Sequence, residues 1–436
     1  MQKEPYLKRK LFKELKKWIN RKEILAIKGP RQAGKSTLLK MLEQWLKQEK
    51  KVNPDNIIFL TFEDREILEK FSKDASEIIK SFIGKNKKEI FYFLIDEFHY
   101  LKQGGQILKF LYDTFDNVKF IITGSSSLEL TSKTAKFLVG RVFFLNLWPF
   151  DFEEFLQTKS KQLNNVYQEK SEQIKNFINN SKPFVVPKED IFAKDFEKIF
   201  EQYSLWGGYP EVLKTNDEET KKTILKNIYN TYVEKDIIGL LKTTNYATLK
   251  KLISLLAIRV GNPIKYDSLI TDANSYFEEI KNHLSVLEET FIVSALKPYF
   301  KNKTNEIRKS PKIYFIDTGL RNYIINNFNS LHLRTDNGAL AENTIFSQFK
   351  KQDNELEIKY WRTKGGAEVD FILENLKELI PVEVKYSPLK SNNISVSFRN
   401  FLSEYKPNKG IILTKGFWGE RKIDSTLIKF IPLWYF

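Results

Sequence analysis

The chain has 436 residues, 42% of them hydrophobic and 29% charged, with a net charge of +16. That length allows roughly three domains of ordinary size, and the absence of cysteine excludes disulfides, thiolate metal sites and cysteine nucleophiles. The basic balance fits either a polyanionic partner or a Lys-rich surface from an AT-rich or heat-adapted genome, and only position can decide between them.

Three scattered histidines, His99, His283 and His332, argue against a histidine metal cluster. Apolar runs such as "IFYFLI" and "FIPLWYF" are too short to cross a bilayer. The basic start of the chain lacks the apolar core of a secretory signal, so no membrane contact and a cytoplasmic location are expected.

In chain order, the first strong signal is a short apolar strand, Ile24 to Ile27. It runs into Gly29-Pro30-Arg31-Gln32-Ala33-Gly34-Lys35-Ser36-Thr37 and then a helix-forming stretch. This is the phosphate-loop pattern in the strand–loop–helix context it needs. Successive backbone N–H groups would face the β-phosphate of ATP, helped by the helix N-terminus. Lys35 would bridge the β- and γ-phosphates, and the Ser36 hydroxyl would ligate Mg²⁺.

"NIIFLTFED" predicts a second strand and "EIFYFLIDEFHY" a third, ending in Asp96-Glu97. Asp96 would hold the Mg²⁺ shell and Glu97 would polarise the attacking water. "NVKFIITGSSS" predicts a fourth strand, with Thr123 and Ser125 able to sense the γ-phosphate, and "RVFFLNLWPF" a fifth. Strands alternating with helices imply a parallel sheet of AAA+ type. Arg141 could reach a γ-phosphate in its own subunit or a neighbour's, which leaves a homo-oligomer open, or could form a surface salt bridge.

Residues 158 to 195 are polar and repeat-free and are expected to be an exposed insertion. "WGGYPEV" follows, a turn that permits close backbone approach. Residues 244 to 318 predict three helices and a two-stranded wing, a winged helix-turn-helix. Lys297, Lys301, Lys303, Arg308, Lys309 and Lys312 lie on or beside the wing, and Lys281 on the third helix. Such a surface could grip DNA phosphates, although winged helices also serve as packing modules.

The last region contains "AEVDFILENLKELIPVEVKYS", a hairpin with charged residues inside its strands. Its turn sets Asp370 opposite Glu383 and Glu368 opposite Lys385, all on one face, with Val369, Phe371, Val382 and Val384 on the other. Facing carboxylates repel, so a cation is needed, and a divalent metal such as Mg²⁺ or Mn²⁺ is the expected one. Asp370, Glu383 and Lys385 match the core of a PD-(D/E)xK nuclease site, with the "PD" replaced by Val369-Asp370, and Glu342 on an upstream helix completes it.

Taken together, "GPRQAGKST", "FLIDE", "ITGSSS", "GRVFFLNLWPFDFEEF", "WGGYPEV", "YFIDTGL", "GALAENTIF", "RTKGGAEVDF" and "PVEVK" resemble the archaeal and bacterial AAA+ ATPases near the signal-transduction ATPases with numerous domains. Those join a phosphate-loop core to a winged helix and a PD-(D/E)xK-like domain of unknown function. The resemblance implies an α/β fold with a parallel-sheet core (1–150), a helical lid with the polar insertion (151–242), a winged helix (243–318) and a restriction-endonuclease-like α/β domain (319–436). It implies ATP hydrolysis through Lys35, Ser36, Asp96 and Glu97, nucleotide contact at Pro210, and a nuclease site at Glu342, Asp370, Glu383 and Lys385. Two expectations stand: an ATP-driven DNA-processing enzyme, or an ATP-dependent switch whose C-terminal domain binds nucleic acid or protein without cutting.

Overall fold

A computed structural model describes residues 6–84, 88–124, 137–180, 182–231, 237, 241, 246–301, 309–352, 356–374, 378–389 and 391–436. Ser125, Lys303 and Arg308 fall outside the described residues. The chain divides into two compact units, one of residues 1–149 with the short segments 231–237 and 289–291, the other of the remainder.

The first unit is built on strands β1 (Ile24–Lys28), β2 (Ile57–Thr61), β3 (Phe91–Asp96), β4 (Val118–Gly124) and β5 (Val142–Asn146). All five expected strands are present and pair in parallel in the order β2-β3-β4-β1-β5. Their continuous apolar runs reflect cover on both faces, and every residue of β3 and β4 is buried. Alternation divides β1 between the two layers: Ile24 and Ala26 join Phe93, Ile95 and Ile122, while Leu25 and Ile27 join Leu94 and Ile121. The helix Lys35–Gln48 closes the second layer with Leu38, Leu39, Leu42 and Leu46, spaced to share one face. Each such fully buried side chain stabilises the fold by roughly 1.5–3 kcal/mol. At the end of β1, a Cβ on Gly29 would stand 2.0 Å from the Leu147 carbonyl oxygen. Only glycine lets the loop leave the sheet there.

The second unit opens with the helices Phe152–Lys159 and Lys161–Asn180. The expectation of an exposed insertion at 158–195 is corrected here. The second helix buries Leu163, Tyr167, Ile174, Phe177 and Ile178, and Lys409 donates to the carbonyls of Phe177 (3.1 Å) and Ile178 (2.8 Å). The stripe was diluted by Asn, Gln and Lys on the other face, so composition hid its periodicity.

The "WGGYPEV" turn serves packing within this unit. A Cβ on Gly207 would lie 2.1 Å from Asp317 Oδ1, and one on Gly208 would lie 2.1 Å from the Phe150 carbonyl oxygen. The Gly208 N–H donates to Asp317 Oδ2 (2.7 Å), whose Oδ1 accepts from Leu320 N (3.0 Å) and so caps the helix Thr318–Ile324. Pro210, half-buried, starts the short helix Pro210–Lys214.

The helices Tyr246–Ile258, Tyr266–Ala273 and Phe277–Glu289 precede an antiparallel hairpin of β6 (Val293–Leu296) and β7 (Lys312–Phe315), in the expected order. After the helix Asn337–Lys351 comes a six-stranded mixed sheet: β8 (Glu357–Arg362), β9 (Glu368–Glu374), β10 (Leu379–Lys385), β11 (Lys409–Thr414), β12 (Gly419–Ile423) and β13 (Thr426–Pro432). Its order is β12-β13-β11-β10-β9-β8. Chain leaving β6 joins the β8 edge, with Tyr299 N donating to the Tyr360 carbonyl (2.6 Å) and Tyr360 N to the Lys297 carbonyl (3.0 Å). An otherwise open edge is thereby covered.

Candidate functional site

Sheet order assembles the site in the first unit. Strand β4 lies between β1, which feeds the phosphate loop, and β3, which ends in the acid pair. Ile27 pairs with Thr123, and Ile95 with Ile122, so Thr123 emerges between the loop and Asp96. Its hydroxyl donates to Asp96 Oδ1 (2.5 Å) and accepts from the Glu97 N–H (3.0 Å). One side chain thus ties the two acids together.

Glu97 adopts φ 52°, the left-handed region that a side chain enters at a cost of roughly 1–2 kcal/mol. The turn aims its buried carboxylate away from the strand, with Oε2 2.9 Å from His99 Nδ1. Burial pushes the Glu97 pKa up, but the His99 contact and the charges of Lys35 and Arg31 outweigh it, and the net shift is downward. The carboxylate is ionised at neutral pH.

Lys35 is 4% exposed and donates to the carbonyls of Gly29 and Pro30, both at 3.0 Å. Arg9, which sequence reasoning missed, braces the loop. Its Nη1 donates to the Ala33 carbonyl (2.9 Å) and its Nη2 to the Trp148 carbonyl (2.5 Å). Nothing distinguished Arg9 from the other cations of its basic stretch. Ala33 is buried beneath the loop, Ser36 is half-buried at the helix start, and Gln32 and Thr37 are exposed. Backbone donors, a lysine and a helix N-terminus suit a polyphosphate, and the Ser36 hydroxyl with the Asp96 carboxylate are the hard oxygen donors that Mg²⁺ prefers.

Arg141 lies elsewhere in its contacts. Its guanidinium makes a two-pronged pair with Asp113 (2.9 and 3.3 Å) at the surface, the salt-bridge alternative of the two.

The second unit holds the C-terminal charged cluster. Strands β9 and β10 pair in the expected register from Glu374↔Leu379 to Phe371↔Val382. Beyond that point Asp370 Oδ2 accepts from the Val384 N–H (2.7 Å) and so takes the place of a ladder carbonyl. Val369, Phe371 and Val382 are buried as expected, while Val384 is half-buried. Glu383, 4% exposed, holds Lys385 Nζ at Oε1 (2.5 Å), and its Oε2 accepts from the Ser395 hydroxyl (2.9 Å). Glu368 does not face Lys385. It pairs with Arg362 (2.7 Å) and with Lys312 (2.6 Å).

Lys312 changes the reading of this cluster. Its Nζ reaches Glu368 Oε1 and, at 3.1 Å, Glu342 Oε1, which also accepts from the Tyr314 hydroxyl. Burial works to depress the Lys312 pKa, but Glu342, Asp370 and Glu368 raise it beyond its ordinary value. Burial and the charges of Glu342 and Glu383 push the Asp370 carboxyl well up, against Lys312 and the Val384 N–H. Glu383 chiefly, with Asp370 and Glu342, raises Lys385 against its own burial.

The expected metal set of Glu342, Asp370 and Glu383 is not supported by this arrangement. Among the described residues no three His, Cys, Asp or Glu side chains are gathered as a metal would need. Lys312 of β7 is the cation on Glu342 and Glu368, Arg362 also contacts Glu368, and Lys385 is the cation on Glu383. Both oxygens of Glu383, one of Glu342 and one of Asp370 are taken up by protein donors, so the residues as arranged do not present a gathered set of oxygen ligands for a divalent ion.

Of the cations expected to grip DNA, Lys281, Lys301 and Lys309 are exposed. Lys312 is not on that surface, being wholly buried. Lys281 shares the open face of its helix with Glu278 and Glu288. His283 is buried and its pKa is pushed down by that burial.

Comparison with known proteins divides the chain in three. An AAA-domain family model matches residues 21–156, a domain of unknown function (DUF8612) matches 197–331, and a second domain of unknown function (DUF4143) matches 337–436. Relatives include an uncharacterized protein of Haemophilus influenzae, 25% identical and covering 94% of each chain. Another, from Methanocaldococcus jannaschii, is 27% identical over 94% of this chain and 87% of its own. Similar solved structures include a Walker-type ATPase of Pyrococcus abyssi (15% identity, 73% of this chain, 96% of that one, TM-score 0.46). The ORC2 protein of Aeropyrum pernix in its ADP form is another (12%, 76%, 97%, TM-score 0.37). The AAA match over residues 21–156 and the five-stranded parallel sheet agree in supporting a phosphate-loop ATPase core in the first unit.

Proposed function

We propose that this protein hydrolyses ATP in its first unit and uses the turnover to switch a second unit that binds nucleic acid without cutting it. The observation that carries the reading is the Thr123 hydroxyl joining Asp96 and Glu97 beside the phosphate loop. In this reading Lys35 exchanges the carbonyls of Gly29 and Pro30 for β- and γ-phosphate oxygens. The loop from Gly29 to Thr37 supplies N–H donors, with Arg31 near the acid pair. Ser36 and Asp96 would hold Mg²⁺, which neutralises phosphate charge when bound. Glu97, ionised, accepts a hydrogen bond from water and aligns it. The water oxygen bonds to the γ-phosphorus as the bridging P–O bond breaks, leaving ADP and phosphate, and the water proton passes to the phosphate. Thr123, fixed by the acid pair, would relay the presence of the γ-phosphate to them. Ser125, Arg141 and Pro210 remain proposed contacts, Arg141 only after release from Asp113.

Nucleic acid is proposed as the partner of the second unit because Lys301 and Lys309 are exposed on the chain flanking the hairpin strands. Lys303 and Arg308 belong to the same stretch. Phosphate contacts of this kind make affinity fall steeply with salt.

A second reading keeps metal-dependent cleavage at Glu342, Asp370, Glu383 and Lys385. The charges of Glu342 and Glu383, which together with burial push the Asp370 carboxyl up, favour it, since they place the three acids within electrostatic reach. Phosphate release by the wild type and by Glu97→Gln tests the first half of the proposal. Plasmid and branched DNA, incubated with Mg²⁺ or Mn²⁺ over a salt series, test the second. Turnover with salt-dependent binding and intact DNA supports the switch. Cleavage lost in Asp370→Ala replaces it with the second reading.

A further inference from the structure

We propose that the Lys312 ammonium is the resident cation of the C-terminal acid cluster, and that β7 thereby plugs a latent divalent-metal site. The inference rests on reading Glu342, Asp370 and Glu383 as a nuclease-like constellation.

Lys312 reaches the cluster from outside the sheet that carries Asp370 and Glu383. It stands on β7, paired with β6 through Leu296, while Glu342 comes from the helix Asn337–Lys351 and Glu368 from β9. Its side chain is 0% exposed, and a buried ammonium is tolerated only with close anionic partners. Those partners are Glu368 (2.6 Å) and Glu342 (3.1 Å). Tyr314, two residues along the same strand, donates its hydroxyl to Glu342. One short strand thus supplies both a positive charge and a hydrogen-bond donor to the Glu342 oxygen that a bound ion would otherwise coordinate. A chain segment that holds the key acid in this way is an autoinhibitory contact. Withdrawing Lys312 leaves Glu342 and Glu368 without their buried counter-charge, and a hard divalent cation is the chemical species that answers it.

The test is Mn²⁺ titration of the full-length, nucleotide-free protein by calorimetry. Wild type and Lys312→Arg, which keeps the charge, are expected to show no Mn²⁺ uptake that Asp370→Asn removes. Lys312→Met is expected to gain one site per chain, at least about tenfold tighter than wild type, and to lose it in Lys312→Met/Asp370→Asn. Wild-type uptake as tight as that of Lys312→Met, and abolished by Asp370→Asn, overturns the proposal. So does a folded Lys312→Met that takes up no ion. Should Lys312→Met unfold, added Mn²⁺ must restore its near-ultraviolet circular dichroism, and failure to do so overturns the proposal equally. No ATP or DNA enters these measurements, so their failure is distinct from failure of the proposed function.

Discussion

Two buried lysines, one in each unit, show how the same side chain is put to opposite uses. Lys35 donates to two neutral carbonyls of its own loop, whereas Lys312 donates to two carboxylates from a helix and a strand. A neutral acceptor is readily exchanged for an arriving phosphate, because the incoming charge gives the stronger hydrogen bond. A lysine held between carboxylates already has the strongest partners it can find, and removing it strands their charge. The difference separates a lysine poised for a ligand from one that substitutes for a ligand.

The comparison breaks most visibly at Lys35. Lys35→Ala should cut ATP turnover by about three orders of magnitude while leaving thermal unfolding near wild type. A comparable loss of stability would show Lys35 to be structural after all. Next is Lys312→Ala, expected to lower unfolding free energy by roughly 3–5 kcal/mol in a urea titration. A loss below about 1 kcal/mol would mean the cluster is solvated and its charges screened.

Glu97→Gln should slow phosphate release about a hundredfold without weakening nucleotide binding, since the amide cannot polarise water. Measured by single-turnover hydrolysis, a purely affinity-based defect would remove Glu97 from the chemistry. Asp317→Ala leaves the N–H groups of Gly208 and Leu320 without their acceptor. A destabilisation of about 2 kcal/mol is expected, with nucleotide affinity unchanged. A selective loss of affinity would return the "WGGYPEV" turn to nucleotide binding. Arg141→Ala should cost less than about 1 kcal/mol and alter turnover by under about twofold, as befits its surface pair with Asp113. A large loss of turnover would make Arg141 a γ-phosphate contact that leaves Asp113 during the reaction.

Legibility followed the range of the interactions involved. The phosphate loop and its five strands could be read because each is a contiguous pattern: an apolar run, a glycine turn, an acid pair at a strand end. The hairpin of β9 and β10 was read to the correct register from Glu374 and Leu379 to Phe371 and Val382, since period-two alternation and a short turn leave one alignment there. Beyond it β9 shifts register against β8, and Glu368 meets Lys312 and Arg362 instead of Lys385. The helix Lys161–Asn180 was misread because its apolar stripe is thin and its purpose lies in distant residues such as Lys409. The metal expectation at Asp370 and Glu383 reckoned with the charge of the acids and not with the lysines folded against the cluster, Lys385 on Glu383 and Lys312 on Glu342 and Glu368.

By itself the amino-acid order determined the strand–loop–helix of the phosphate site, the acid pair at the end of β3, and the pairing of β9 with β10 from Glu374 and Leu379 to Phe371 and Val382, because local backbone periodicity and glycine sterics dictate each. Tertiary structure alone decided that Thr123 joins Asp96 to Glu97, that Arg9 holds the loop from behind, and that Lys312 sits among carboxylates three segments away. Hydrogen bonds and ion pairs act over a few ångströms of space, whatever the separation along the chain, and only the folded sheet order brings those groups within reach.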